Sequence, residues 1–241
     1  MYKGIYVAMT GAMLRDQELD NVANNLANAN TTGYKRTSFS ARLYPLLEGK
    51  TSQPNAIYPD SSAMTSYGQY SMDTTQGEVR ETRNPLDLAL VGDGYFAVQS
   101  KDKTYYTRNG SFSLSKESFL VDASGQQILN TSNKPIYITG STIQITGDGT
   151  IFADGNEAGK LKLVKLDPAS IQHIGSSMLS GTETGASDAK IHQGSLEMSN
   201  VNPIKEMVGI INASRNFEAA QTVIKNFDTL AEKTVTEIAR V

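Results

Sequence analysis

Few side chains in this sequence have the type and spacing for chemistry. Among 241 residues there are two histidines, His173 and His192, and no cysteine. The lack of Cys excludes disulfides, thiolate metal sites and a thiol nucleophile together. Both histidines stand in loop-like sequence, where an exposed polar role is the ordinary one. Gly92-Asp93-Gly94-Tyr95-Phe96-Ala97 fits the dinucleotide pattern G-x-G-x-x-A. That pattern needs a helix after its glycines, so that the helix N-terminus meets the pyrophosphate. Tyr-Phe-Ala-Val is strand sequence instead, and the glycines read as a hairpin turn. Gly155 to Gly159-Lys160 is one residue short of a phosphate loop and lacks the hydroxyl residue after Lys. No H-E-x-x-H, G-x-S-x-G or EF-hand pattern occurs. The expectation is a chain with no enzymatic activity, no cofactor and no metal.

Charge and composition narrow the partners. Net charge is −3, from 22 basic and 25 acidic residues with no basic block, which argues against nucleic acid. No run of 18 apolar residues occurs, so no membrane insertion is expected. Lys3 followed by Gly4 to Leu14 has the look of a short signal core. Thr10 and Gly11 interrupt it, Arg15-Asp16 follow at once, and a cleaved signal is not expected. Thr, Ser and Asn together make up 61 residues, a mixture that favours short strands, turns and polar contacts over a large apolar core.

The one unusual polar pattern lies on a helix. Asn21, Asn24, Asn25 and Asn28 fall on one face, although Asn competes for backbone hydrogen bonds and is a poor helix former. Four amides there make sense if they bond to neighbours once the helix is packed on two sides. A solvent face is the plainer alternative, but Lys and Glu would serve it better.

The elements that must hold such residues follow from periodicity. Ile5, Ala8, Ala12, Leu19, Val22, Leu26 and Ala29 alternate by three and four, with Arg15 the missed position, predicting a helix over 3–30. Gly33 suits a left-handed stop just beyond it. Ile210, Ala213, Phe217, Ala220, Ile224, Phe227, Ala231 and Ile238 repeat the spacing, with Thr234 the lapse. Asn202 can cap this second helix and Pro203 suits its first position, predicting 203–239. Both seams mix large and small residues, so the two helices could pair as a coiled coil or simply cover a core.

Between them the sequence is β-like. Leu86–Val91, Tyr95–Val98, Tyr105–Thr107, Ser111–Leu114, Phe119–Val121, Ile136–Ile138, Ile143–Ile145, Thr150–Phe152 and Leu161–Val164 read as strands separated by turn residues. Residues 34–75 read as an extended connector, and Gly/Ser/Thr-rich 175–190 as a return segment. The expected fold is α+β: terminal helices (1–33 with 203–241) pairing as a coiled coil, and a β domain (76–202) forming a sandwich or open barrel.

Three segments carry a family resemblance. Asn24-Asn25-Leu26-Ala27-Asn28-Ala29-Asn30-Thr31-Thr32-Gly33-Tyr34-Lys35 resembles the N-terminal signature of bacterial flagellar rod and hook proteins. Asn84-Pro85-Leu86-Asp87-Leu88, Gly92-Asp93-Gly94-Tyr95-Phe96 and Tyr106-Thr107-Arg108-Asn109-Gly110 resemble that family's central region. Gly194-Ser195-Leu196-Glu197-Met198-Ser199-Asn200-Val201-Asn202-Pro203 resembles the lead-in to its last helix.

The resemblance implies an axial component of the flagellar basal body, most like the proximal rod protein, with the distal rod protein as alternative. It implies export through the flagellar export apparatus without a cleaved signal, an inner coiled coil of terminal helices, and head-to-tail assembly with other rod subunits across the periplasm. Contacts between subunits are then expected at Ile5, Ala12, Leu19, Val22, Asn24, Asn25, Leu26, Asn28, Gly33 and Tyr34. In the last segment they are expected at Asn200, Val201, Asn202, Ile210, Phe217, Ile224, Phe227 and Ile238. A self-contained β-domain binding module is the rival from another class.

Overall fold

The structure, a computed structural model, describes residues 2–45, 63–100, 103–175 and 177–238. Contacts divide the chain into two units. One comprises Met1–Leu26, Thr37–Ser71 and Asn202–Val241, the other Ala27–Arg36 and Met72–Val201.

The first unit is built on two helices, α1 (Tyr2–Ala27) and α2 (Pro203–Ile238). The Asn202 side chain starts α2, its Oδ1 accepting from the backbone amides of Ile204 and Lys205 at 3.1 Å each. Pro203 in the first position leaves no donor unsatisfied. The seam residues are the shielded ones: Ala12, Val22 and Ala213 are buried, and Ile5, Leu19, Leu26, Ile210, Phe217, Ile224 and Phe227 are half-buried. The Ile238 side chain lies outside the described ones.

Glycines mark where the helices meet. A methyl group on Gly4 would come within 2.9 Å of Phe227 Cζ, and one on Gly209 within 3.1 Å of Val22 Cγ1. The paired residue numbers add to 231 at both places, which fixes an antiparallel run in constant register. Asn25 and Glu206, 3.5 Å apart, obey the same rule.

This unit also holds a departure from the expected connector. Residues 37–45 and 63–72 form strands β1 (Thr37–Pro45) and β2 (Ala63–Met72), which pair as a two-stranded sheet. Their polar sequence hides the period of two, because polar and aromatic pairs face each other across the strands. The Ser38 and Ser71 hydroxyls lie 2.7 Å apart, and the Phe39 and Tyr70 rings 5.2 Å apart.

The second unit carries β3 (Val79–Glu81), β4 (Leu88–Val91), β5 (Tyr95–Ser100), β6 (Lys103–Thr107), β7 (Ser113–Leu114), β8 (Leu120–Val121) and β9 (Gln127–Ile128). It continues with β10 (Ile143–Ile145), β11 (Thr150–Ala153), β12 (Asn156–Lys160), β13 (Leu163–Leu166) and β14 (Gln172–Ile174). The last are β15 (Met178–Ser180), β16 (Glu183–Ala186), β17 (Lys190–Gln193) and β18 (Ser195–Glu197). The main sheet runs β14-β15-β6-β5-β9-β8-β7, with β13 joining β5 to β16. Smaller sheets are β10-β11-β12, β17-β4 and β18-β3. Phe96, Leu88, Leu90, Leu120, Ile128, Ile151 and Leu161 fill the larger core, and Tyr95, Tyr106, Leu129, Val164 and Leu179 a second cluster.

Three strand readings need correction. β4 and β5 do not form a hairpin across Gly92-Asp93-Gly94: β4 pairs with β17, while β5 pairs with β6, β9 and β13. The glycines, with Gly92 at φ 102°, turn a corner between two sheets, because both flanking strands are buried and each needs its own partner. Ile136–Ile138 makes a single bridge, Phe119 to Tyr137, rather than a ladder. Its burial still alternates, with Ile136 and Ile138 inside and Tyr137 exposed. The return segment 175–190 contains β15, which pairs with β14 and β6, and β16, which pairs with β13.

Candidate functional site

In the second unit a lysine, an arginine and a glutamate converge in the interior. Glu197, on β18, is 1% exposed, Lys35 2% and Arg108 4%. Glu197 Oε1 accepts from Lys35 Nζ at 2.7 Å and from the Gly77 amide at 3.0 Å, and its Oε2 accepts from Arg108 Nε at 2.6 Å. Lys35 Nζ also donates to the Thr75 carbonyl at 2.6 Å. The remaining Arg108 nitrogens donate to the carbonyls of Leu90, Gly92 and Gly94. These are the carbonyls of the β4–β5 corner, left without a hairpin partner, so the guanidinium takes the place of a missing strand. Burial pushes the Lys35 ammonium below the usual lysine range, against the pull of its bond to Glu197.

Glycines and asparagines bring the three charges together. The Gly33 amide donates to the Glu197 carbonyl at 2.8 Å. Gly33 has φ 68°, and a side chain there would run into the backbone of Asn109, so only glycine lets the chain pass. Thr32 Oγ1 reaches Asn109 Oδ1 at 2.8 Å. Asn200 Nδ2 donates to the carbonyls of Asp73 and Thr75 at 3.0 Å each, and its Oδ1 accepts the Arg36 amide at 2.7 Å. Tyr34 is buried with its ring 5.4 Å from that of His173.

This arrangement fastens backbone rather than reacting with a substrate. A cavity of about 200 Å³ beside it is lined by Lys35, Arg108, Lys165 and Asp93 among others. Each of those cations already has a carboxylate, Glu197 for the first two and Asp188 for Lys165. Among the described residues no group of three His, Asp or Glu could hold a metal ion. His173 is on β14 and partly buried, not on an exposed loop as expected. Among the described residues neither ring nitrogen has a hydrogen bond of ordinary geometry, and burial holds its pKa below the usual histidine value while a weaker interaction with the Lys35 backbone pulls the other way.

The first unit puts part of the asparagine face to use within the chain. Asn25 is fully buried; its Nδ2 donates to the Thr37 carbonyl at 2.8 Å and its Oδ1 accepts the Thr37 amide at 3.0 Å. Asn21 Nδ2 donates to the same carbonyl at 3.1 Å, and its Oδ1 accepts the Thr37 hydroxyl at 2.7 Å. Two amides one turn apart thus grip the first residue of β1 as a neighbouring strand would. Asn28 Oδ1 accepts the Thr31 hydroxyl at 3.2 Å, just after α1 ends, and Asn24 is exposed. Of the residues expected between subunits, Gly33, Tyr34, Asn25 and Val201 lie inside their own unit, while Asn24 and Asn202 lie at the surface.

Lys35, Arg108 and Glu197 escaped the sequence reading, although a signal was present. Each of the segments 24–35, 106–110 and 194–203 contains a single charged residue, and these three are it. A lone charge in an otherwise uncharged motif, two of one sign and one of the other, points to a buried cluster.

Comparison with known proteins settles the family. The profile described as flagella basal body rod protein matches residues 5–35, the flagellar hook protein FlgE/F/G D1 domain matches 89–153, and the flagellar basal body rod FlgEFG protein C-terminal matches 192–237. The chain is 31% identical to the flagellar basal-body rod protein FlgF of Caulobacter vibrioides over 251 residues, covering 100% of both chains. The chain belongs to the flagellar basal-body rod protein family. It is also 32% identical to the flagellar basal-body rod protein FlgG of Agrobacterium fabrum, over 95% of this chain and 97% of that one. The flagellar hook-basal body complex protein FlhO of Bacillus subtilis matches end to end at 26%.

Membership makes this chain a structural, non-enzymatic component of the basal-body rod that assembles with other rod subunits. Among the described residues no helix is long and apolar enough to cross a membrane. The buried cluster draws one residue from each matched region: Lys35 from the first, Arg108 from the second and Glu197 from the third.

Proposed function

We propose that this chain is a subunit of the proximal rod, joined head to tail to other rod subunits so that the assembly transmits motor torque. The observation that carries this reading is on the helices. α1 and α2 meet along their seams, yet Tyr6, Met9, Ile204, Met207 and Ile211 remain at least half exposed. A helix pair that satisfies one apolar face and presents another is built for further neighbours. In this reading α1 and α2 form the axial coiled coil that joins subunits, and residues 76–202 form a β domain of their own. The end-to-end match with FlgF supports the proximal assignment. The similar identity to FlgG keeps the distal rod as the second reading.

The chain is exported unfolded through the flagellar export apparatus without a cleaved signal, and the rod it joins crosses the periplasm. Support comes from the seam itself, which continues through Leu19, Val22 and Leu26 where a cleaved leader would have ended. The subunit binds no nucleic acid and inserts in no membrane. The test is a deletion strain complemented with the full chain or with a chain lacking residues 203–241. The full chain restores rods in isolated basal bodies and the truncated one does not. Complete rods in the uncomplemented deletion strain would overturn the reading.

A further inference from the structure

The cavity of about 200 Å³ beside the buried charges is bordered by more hydrogen-bond donors than the protein itself uses. Tyr95, Arg108 and Lys165 contribute to its wall, and Leu166 and Ile171 give it an apolar side. Tyr95, on β5, is 7% exposed, yet among the described residues its hydroxyl has no hydrogen-bond partner. A buried tyrosine ordinarily finds a partner for its O–H, and the open space this side chain borders is the cavity. Desolvation holds the Tyr95 hydroxyl above the usual phenol pKa, against the pull of Arg108, so it remains a donor at neutral pH.

Arg108 supplies a second donor. A guanidinium carries five N–H groups. Glu197 and the carbonyls of Leu90, Gly92 and Gly94 take four of them, which leaves one on Nη1. Arg108 Cζ lies 6.0 Å from the centre of the Tyr95 ring, so the two groups are neighbours on the same wall. Lys165 makes one ion pair, with the exposed Asp188.

The charges favour an anion at this place. Lys35 and Arg108 share one carboxylate, so the three buried groups carry a net charge of +1. A buried charge without its counter-charge is costly, and a monoanion in the cavity offsets this one. The acids already near by do not: Asp93 is exposed, Asp188 is engaged with Lys165, and neither bonds to Tyr95 or Arg108. A phosphate dianion would bring a second negative charge towards Glu197 with nothing to balance it. A carboxylate on a short aliphatic stem fits best. Its oxygens accept charge-assisted bonds from the guanidinium and the phenol, and its stem lies against Leu166 and Ile171.

We propose that this cavity is a carboxylate-binding site, in which Arg108 Nη1 and the Tyr95 hydroxyl donate to the carboxylate and Lys165 is its counter-ion at the rim. A free short-chain acid and an Asp or Glu side chain of a neighbouring subunit both present these atoms. The site does not depend on the reading of the chain as a rod subunit.

Acetate is the probe. The full chain, with isotope-labelled tyrosine rings, is titrated with sodium acetate and separately with sodium chloride at the same ionic strength. Tyr95→Phe removes one oxygen and identifies the Tyr95 resonance. That resonance should shift saturably with acetate and stay in place with chloride. Magnetisation transfer from the protein to the acetate methyl reports binding in the variants. Tyr95→Phe should weaken binding roughly tenfold or more, the loss of one hydrogen bond to a charged group. Lys165→Met should weaken it with the melting temperature unchanged. An unmoved Tyr95 resonance, or an equal response to chloride, would overturn the proposal.

A second measurement separates the two sources. Isolated basal bodies are treated with a water-soluble carbodiimide, which couples a lysine to a carboxylate in contact with it. A peptide joining Lys165 to an acidic residue of another subunit assigns the carboxylate to that neighbour. Coupling of Lys165 to Asp188 alone, with the acetate response of the monomer intact, assigns it to a free acid.

Discussion

Glu197 balances two buried cations, and its neutralisation exposes the cost of that arrangement. Glu197→Gln keeps the size of the side chain but leaves Lys35 and Arg108 without their carboxylate. Removing one partner of a buried ion pair costs about 3–5 kcal/mol, so the melting temperature should fall sharply. Replacing all three residues by apolar ones of similar volume should recover part of the loss in thermal melts, because no charge then remains buried. His173 gives a residue-level prediction for pH. Its folded pKa lies below the 6.5 of a free histidine because the ring is desolvated. As pH falls through 6.5 the unfolded chain takes up a proton that the folded chain resists, so the native state loses stability on acidification. His173→Phe removes both unbonded ring nitrogens while keeping a ring against Tyr34. It should raise stability by roughly 1 kcal/mol, with a larger gain at pH 5 than at pH 8 in thermal melts.

Among the elements, both helices were legible because their seams repeat every three and four residues over many turns, and Asn202-Pro203 marks the start of α2 plainly. The role of the asparagine face was only half legible. Its spacing showed that Asn21 and Asn25 share a side, but nothing local says that the neighbour is the start of β1, far weaker in pattern than the helices. Asn25→Ala tests the observed role: it removes the Asn25 Oδ1 acceptor of the Thr37 amide, leaves the Thr37 carbonyl with Asn21 Nδ2 as its remaining side-chain donor, and should cost about 1–3 kcal/mol despite better helix propensity. Hydrogen exchange on isolated basal bodies, where α1 is held by its neighbours, should show faster exchange in β1. Unchanged protection there would mean that the Asn25 bonds are dispensable to the protomer. The β4–β5 corner was misread for a related reason. Gly-Asp-Gly between apolar strands looks the same whether the strands pair with each other or with others. Only the distant Arg108, which takes up the corner carbonyls, decides between them.

For the whole molecule, the three motif segments were recognisable but their convergence was not, since a one-dimensional pattern does not say that positions 35, 108 and 197 touch. Their meeting changes where the chain can be cut. Residues 27–36 belong with the β unit, so a fragment covering 27–201 should melt cooperatively, whereas one beginning at 37 loses Gly33 and Lys35 and should melt at clearly lower temperature. Equal melting of the two fragments would show that the buried cluster does not fasten the β unit. The central claim is that α1 and α2 are the assembling part of a rod subunit and gain their full stability from neighbours. Segment-resolved hydrogen exchange, on the dilute monomer and on isolated basal bodies, tests it most directly. The account predicts fast exchange over 2–27 and 203–238 in the monomer, slow exchange over the same residues in the rod, and slow exchange in the β unit's core strands in both. Slow exchange throughout α1 and α2 in the dilute monomer, unchanged on assembly, would contradict it.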